Sequence, residues 1–186
     1  VIDKRIITAI QRRYDMIILD HNTAIPIKNL YRTPETLGRD RLAAVVGAYV
    51  QYPKQNCVII DLGTCNTFDL VDKNGTYQGG NISPGVDMKL KAMNHFTSKL
   101  PLPVRQYNDD PIGKDTTSAL QNGAFWGTIF EIESFIYRMN ALFTPLNVIL
   151  TGGYAEIFGS KLNSKIFVAP NIVLFGLHEI LKYNEE

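Results

Sequence analysis

The sequence predicts an α/β domain with a mixed sheet flanked by helices. Three observations carry that expectation. An apolar run, Cys57–Ile60, and an alternating run, Thr67–Val71, are separated by a tight turn and followed by Lys73-Asn74-Gly75, which reads as a meander of three strands. Helix-periodic segments stand on either side of the meander. From Asn147 onward the pattern alternates strand, helix, strand, helix.

In chain order, Ile2, Ile6, Ile7 and Ile10 give residues 2–13 a helical spacing, and Met16–Leu19 reads as a short buried strand. Pro26 and Pro34 then bar regular helix from a long loop, and a loop of that length in a compact domain is usually functional or mobile. From Asp40, which is placed to cap a first turn, Leu42, Val45, Val46, Tyr49 and Val50 share one helical face. After the meander, Gly79-Gly80 and Ser83-Pro84-Gly85 bracket a bend, and Pro84 leads a helix through Val86, Leu90 and Met93. Leu100–Lys114, rich in proline and short polar residues, reads as a surface excursion or hinge. Thr116–Phe143 is the longest helical pattern, apolar at Leu120, Ala124, Gly127, Phe130 and Ile132. Its Gly123 and Gly127 lie on one face, where small residues admit a close neighbour; glycine inside a helix costs about 1 kcal/mol relative to alanine and so needs such a reason. A strand at Asn147–Leu150, the turn Thr151-Gly152-Gly153, a short helix, a strand at Lys165–Val168 and a helix at Ile172–Tyr183 close the chain.

A length of 186 residues allows one large domain or two small ones with a real core. The formal charge of +1 excludes a nucleic-acid or membrane surface held by bulk charge, so partners must be recognised locally. No apolar run is long enough to span a bilayer, and the start, VIDKRIITAIQRR, lacks a signal-peptide core, so a cytoplasmic protein is expected. Cys57 and Cys65 form neither a disulfide framework nor a zinc pattern. The chain opens on a helical pattern and not on Met, which reads as a fold entered partway.

Three features could carry chemistry. The turn after the first meander strand holds Asp61, Gly63 and Thr64: glycine lets backbone amides approach phosphate oxygens and the carboxylate can hold a cation, although a plain hairpin turn would use the same residues. Gly38-Arg39-Asp40-Arg41 sets a carboxylate between guanidiniums at a helix start, where it can take a proton from a substrate hydroxyl while Arg41 binds an anion. Taken alone, an N-cap with solvated arginines is the plainer account. Gly152-Gly153 after Val148–Leu150 leaves room for a flat ring against the backbone, or simply turns the chain. Neither a P-loop nor a dinucleotide fingerprint is present, and His21, His95 and His178 have no metal-ligand spacing.

In order, YRTPETLGRDR (31–41), DLGTCNTFD (61–69), GGNISPGVDM (79–88), GKDTTSALQNG (113–123) and LTGG (150–153) resemble the motifs of the type III pantothenate kinases, members of the acetate and sugar kinase, heat-shock protein and actin superfamily. The resemblance runs from Met16 to the end. It implies a ribonuclease H-like (actin-like ATPase) fold of two related subdomains, the remainder of the first at 1–41 with the substrate loop and the second at 42–186. It implies ATP-dependent phosphorylation of pantothenate to 4'-phosphopantothenate, with Asp40 as general base and Tyr31, Gly38, Arg41 and Thr116 around pantothenate. Gly63, Thr64, Thr67, Gly152 and Gly153 would meet ATP, and Asp61 the metal. Mg²⁺, a monovalent cation (K⁺ or NH₄⁺) and a homodimer in which Thr116 reaches the partner's pocket follow from the same resemblance.

Cys65 and Asn66 depart from the family's alanine and apolar residue, and the first phosphate motif, a D-x-G-N-T after an opening strand, is absent. A fragment of a longer protein is therefore expected. The rival readings are a non-catalytic regulatory relative of the same fold, and a small-molecule kinase with another acceptor.

Overall fold

The computed structural model describes residues 4–185. Six strands form one mixed sheet in the order β1-β4-β3-β2-β5-β6. Its middle is the expected meander, in which β2 (Asn56–Leu62), β3 (Cys65–Val71) and β4 (Thr76–Pro84) are antiparallel neighbours. Local chemistry closes the second turn: Asp72 Oδ1 accepts from the amides of Asn74 and Thr76, and Gly75 takes a φ of 74° that a side chain would resist. On the other side of β2, β5 (Leu146–Thr151) runs parallel, with β6 (Phe167–Val168) beyond it. β1 (Lys28–Asn29) pairs in parallel with Thr76 and Tyr77 on the outer edge.

Alternate side chains of β2 and β3 enter different cores. Val58, Ile60, Leu62, Phe68 and Leu70 cluster with α3 (Val86–Phe96), α4 (Thr116–Leu142) and α5 (Ala155–Gly159), whereas Cys57, Ile59 and Val71 cluster with α2 (Arg39–Gln51) and α6 (Ile172–Glu185). Burial on both faces is why the start of β2 reads as an unbroken apolar run. The same confinement removes any polar face from α2, which is buried continuously from Arg41 to Ala48 and not along one stripe. α2 and α6 meet backbone to backbone: a Cβ on Gly176 would collide with the Ala43 carbonyl oxygen, and one on Gly47 with that of Ile172.

Several expectations change. The first helix is α1 (Lys4–Gln11), with residues 2 and 3 outside the described range. Met16–Leu19 forms no strand; it finds no ladder partner, Ile17 and Ile18 are 46% and 57% exposed, and the sheet edge is taken by β1 instead. β4 runs straight through Gly79-Gly80 to Pro84, so Pro84 ends a strand and Gly85 caps α3. A register shift at Leu70/Val71, matched by Gly79 at φ 106°, absorbs the irregularity. From Gln78 onward β4 has no strand on its outer side among the described residues, and Ile82 is 61% exposed there. Leu100–Lys114 has no regular structure but is tied to α4, where Gln121, Asn122 and Trp126 side chains donate to the carbonyls of Val104, Asp110 and Asn108. Gly123 and Gly127 admit no close neighbour from this chain: among the described residues, nothing lies within 4 Å of a Cβ built on either.

The α2–α6 contact has a direct test. Gly176→Ala forces those two backbones apart and is expected to lower unfolding free energy by about 1–3 kcal/mol in urea titrations.

Candidate active site

β2 and β5 run parallel and finish level, Asp61 opposite Thr151. The turns that follow, Gly63-Thr64 and Gly152-Gly153, therefore lie side by side at the carboxyl end of the central strands, where open α/β sheets hold ligands. They touch. The Tyr154 amide donates to the Leu62 carbonyl at 3.2 Å, and Gly152, at φ 88°, has no room for a Cβ, which would meet Asp61 Oδ1 and the Leu62 amide. Against the other flank, the Gly85 amide donates to the Thr64 carbonyl at 3.1 Å. The Gly63 amide is engaged with the Cys65 carbonyl, so it is not the free phosphate donor its position suggested; the Thr64 amide has no partner among the described residues.

Asp61, Thr67 and Asp69 share the parity of strand positions that face α2. The first turn of α2 supplies their counterpart. Gly38 is the N-cap, not Asp40, and a Cβ on Gly38 would press on Asp40 Oδ1. Asp40 Oδ1 accepts from the Arg41 amide at 2.9 Å. The Arg41 guanidinium, only 6% of the residue being exposed, donates through Nε (3.1 Å) and Nη2 (2.6 Å) to Asp69. Tyr77 Oη donates to Asp69 Oδ1 at 2.6 Å and accepts from Arg41 Nη2 at 3.2 Å. The Tyr31 ring stacks on Tyr77, centroids 6.1 Å apart, and lies 5.6 Å from Arg41 Cζ. Tyr31, Gly38, Asp40 and Arg41 are thus gathered around Asp69 on the α2 face of the sheet, with Asp61 on the same face toward the end of β2.

Charge is unbalanced there. Burial above all, then the carboxylates of Asp40 and Asp69, raise the Asp61 pKa above the usual carboxylate value. Burial also pushes the Tyr77 phenol up, with Asp69 adding to it. For Arg41 burial opposes the charge, but pairing with Asp69 outweighs it and holds the guanidinium ionised. A cation beside Asp61 would relieve that excess of negative charge. Among the described residues no group of three or more His, Cys, Asp or Glu forms a ready cation cage. A lone carboxylate fits Mg²⁺, which keeps waters and takes further oxygens from phosphates.

Behind the Gly63-Thr64 turn, on the α3 side, opens a cavity of about 540 Å³ lined by Asp87, Met88, Lys91, His95, Phe96 and Tyr154. At its rim Tyr154 Oη donates to Asp87 at 2.8 Å, and Arg105 donates to both Asp87 and Tyr154. Sequence reading gave no role to Asp69, Tyr77, Asp87, Arg105 or Tyr154, although Asp69 and Asp87 lie inside its motifs. Two expected residues stand apart from these groups: Gly153 is exposed with open space around it, and Thr116, also exposed, opens α4 behind the Asp115 cap without bonding to Asp40 or Arg41.

A model of the type III pantothenate kinase family matches residues 2–138. The chain belongs to that family. It is 48% identical over 166 residues to a type III pantothenate kinase of Bacteroides fragilis, spanning 89% of this chain and 68% of that protein. With its counterpart in Christiangramia forsetii it shares 39% identity over 184 residues, 99% of this chain and 76% of that one. In three dimensions it resembles a Campylobacter jejuni protein of the Baf family of transcriptional activators, with a TM-score of 0.67 at 21% identity over 99% of this chain and 80% of that one; that likeness concerns the fold alone. As expected, the core is a mixed six-stranded α/β sheet with helices on both faces. No helix among the described residues is long and apolar enough to cross a membrane.

The raised pKa of Asp61 means that its ionised form opposes folding, an effect present above the folded-state pKa and relieved as pH falls through it. Asp61→Asn is therefore expected to raise the melting temperature at pH 7 in scanning calorimetry. That advantage should shrink as the pH is lowered.

Proposed function

We propose that this protein phosphorylates pantothenate with ATP, giving 4'-phosphopantothenate in the first step of coenzyme A biosynthesis, in the cytoplasm. The observation that carries the reading is the juxtaposition, at the end of the sheet, of Asp40 with Asp61 and the turn at Thr64, in a chain of the type III pantothenate kinase family. In this reading Asp40 accepts a hydrogen bond from the primary hydroxyl and takes its proton as that oxygen attacks the γ-phosphorus. The new O–P bond forms as the bond to the β-phosphate oxygen breaks and ADP leaves. Arg41 binds the pantothenate carboxylate, and Tyr31 and Gly38 wall the pocket.

ATP spans the end of the sheet. Thr64 and Thr67 donate to its phosphates, Gly63 and Gly152-Gly153 leave room for its passage, and the cavity beside Tyr154 takes the adenosine. Mg²⁺ held through Asp61 would neutralise phosphate charge. A monovalent cation, K⁺ or NH₄⁺, completes the cofactor set. Pocket completion requires a second copy, with Thr116 reaching across. Supporting this, Gly123, Gly127, Phe130 and Tyr137 lie along one side of α4 at helical spacing, three of them exposed and Gly127 half-buried, with nothing among the described residues close over the glycines.

Asp40→Asn is expected to lower kcat for pantothenate by about 10²–10⁴-fold with an unchanged melting temperature. Turnover equal to wild type would remove Asp40 as the base. Sedimentation should give a dimer at micromolar concentration, and Gly127→Arg should convert it to monomers; a monomeric wild type would count against the shared pocket.

A further inference from the structure

Of three carboxylates near one another, only Asp69 receives the Arg41 guanidinium. Arg41 follows Asp40 directly, and Asp61 is electrostatically coupled to both Asp40 and Asp69. Either Asp40 or Asp61 would gain by pairing with Arg41. The pairing goes instead to Asp69, which accepts from both Nε and Nη2. Stability alone is a poor reason for this arrangement, since a buried ion pair is often no better than well-packed apolar side chains. Each contact around Asp69 fixes its direction. Tyr77 Oη ties Asp69 Oδ1 to Arg41 Nη2, and the Tyr31 ring stacked on Tyr77 also lies against the guanidinium. Across the ladder, Asp69 is paired with Gly80, where a Cβ would crowd both Asp69 Oδ1 and the Phe68 carbonyl. The glycine thus makes the space in which the carboxylate turns toward α2.

We propose that Asp69 and Tyr77 are positioning residues: they commit Arg41 to one orientation, with the rest of its guanidinium beside Tyr31 turned to the anionic group of the acceptor, and they keep it off the Asp40 carboxylate, which among the described residues accepts only from the Arg41 amide. This rests on the reading that Arg41 meets an acceptor carboxylate and Asp40 the hydroxyl. Without Asp69, Arg41 is free to turn onto Asp40, which would both withdraw the anion donor and tie up the base. Without the Tyr77 hydroxyl, Asp69 still pairs with Arg41 but is no longer fixed, so the anion donor wanders while the base stays free.

Two readouts test this on Tyr77→Phe and Asp69→Asn. The first needs no substrate: hydrogen exchange of the Arg41 Nε–H by NMR. It is expected to be slow in the wild type and at least about fivefold faster in Tyr77→Phe, the loss of one hydrogen bond near a buried charge. The second is kinetic. Tyr77→Phe should raise the pantothenate KM about fivefold or more while the ATP KM and kcat hold, and Asp69→Asn should raise that KM further and lower kcat as well. A merely structural role would lower the melting temperature and leave the Nε exchange and the KM split unchanged, and that result overturns the proposal. Should Asp69→Asn fail to fold, Tyr77→Phe decides alone. A wild type that turns over ATP with no pantothenate dependence would overturn the functional reading, while the Nε exchange would still decide whether Asp69 and Tyr77 hold Arg41.

Discussion

Burying Arg41 with Asp69 is the constraint on which the rest of the site depends. A guanidinium of which so little is exposed needs a fixed counter-charge, and the partner it finds is 28 residues away on the central meander. That one pair sets the position of α2 over the sheet. Once α2 is seated, Asp40 must lie next to the ion pair, Gly38 must be small enough to leave its carboxylate room, and the helix can approach α6 only through the glycines at 47 and 176. Packing and electrostatics are therefore solved together, and neither α2 nor the meander could shift without exposing a charge or opening a gap.

The same seating leaves the site short of positive charge. Asp69 takes the guanidinium, and the half-buried Asp61 carboxyl, by its burial first and then by the charges of Asp40 and Asp69, holds its proton more tightly. A site of that kind favours a ligand that brings metal with it. Its geometry also divides the work. The α2 face carries Asp40, Asp61, Asp69 and the rings of Tyr31 and Tyr77, the α3 face carries the cavity, and the turns at Gly63-Thr64 and Gly152–Tyr154 lie between them. Gly85 and Gly152 clamp the Gly63-Thr64 turn from opposite sides by close backbone contact, so it is held as firmly as a loop can be without side chains.

What could be read in advance follows from how local each cause is. The meander was legible because its turn is closed by neighbours, Asp72 with Asn74 and Thr76, and its strands show their period. Met16–Leu19 misled because an apolar run says nothing about whether a ladder partner is available. The continuous burial of α2 from Arg41 to Ala48 was hidden by its alanines and its two arginines, which look like a half-exposed helix until the sheet and α6 are laid on either side. For Asp69 a signal existed: a carboxylate inside an apolar strand, two residues from Thr67 and facing the same way, is costly unless paired. Nothing local signals that Asp87, Arg105 and Tyr154 meet, because they come together across 18, 49 and 67 residues with α3, α4 and β5 in between. The glycines of α4 suggested a close neighbour, and among the described residues none lies there.

The outer half of β4 has a consequence for the behaviour of the protein in concentrated solution. From Gln78 to Pro84 it presents open backbone hydrogen-bonding groups and an exposed isoleucine, the ingredients of edge-to-edge strand pairing and of aggregates built that way. Three residues blunt it: Gly79 twists the strand at the register shift, Gly80 withholds a side chain, and Pro84 removes a donor at the end. Colloidal stability is thus encoded in the same short segment whose glycine also gives the Asp69 carboxylate its space, so the two properties cannot be altered independently there.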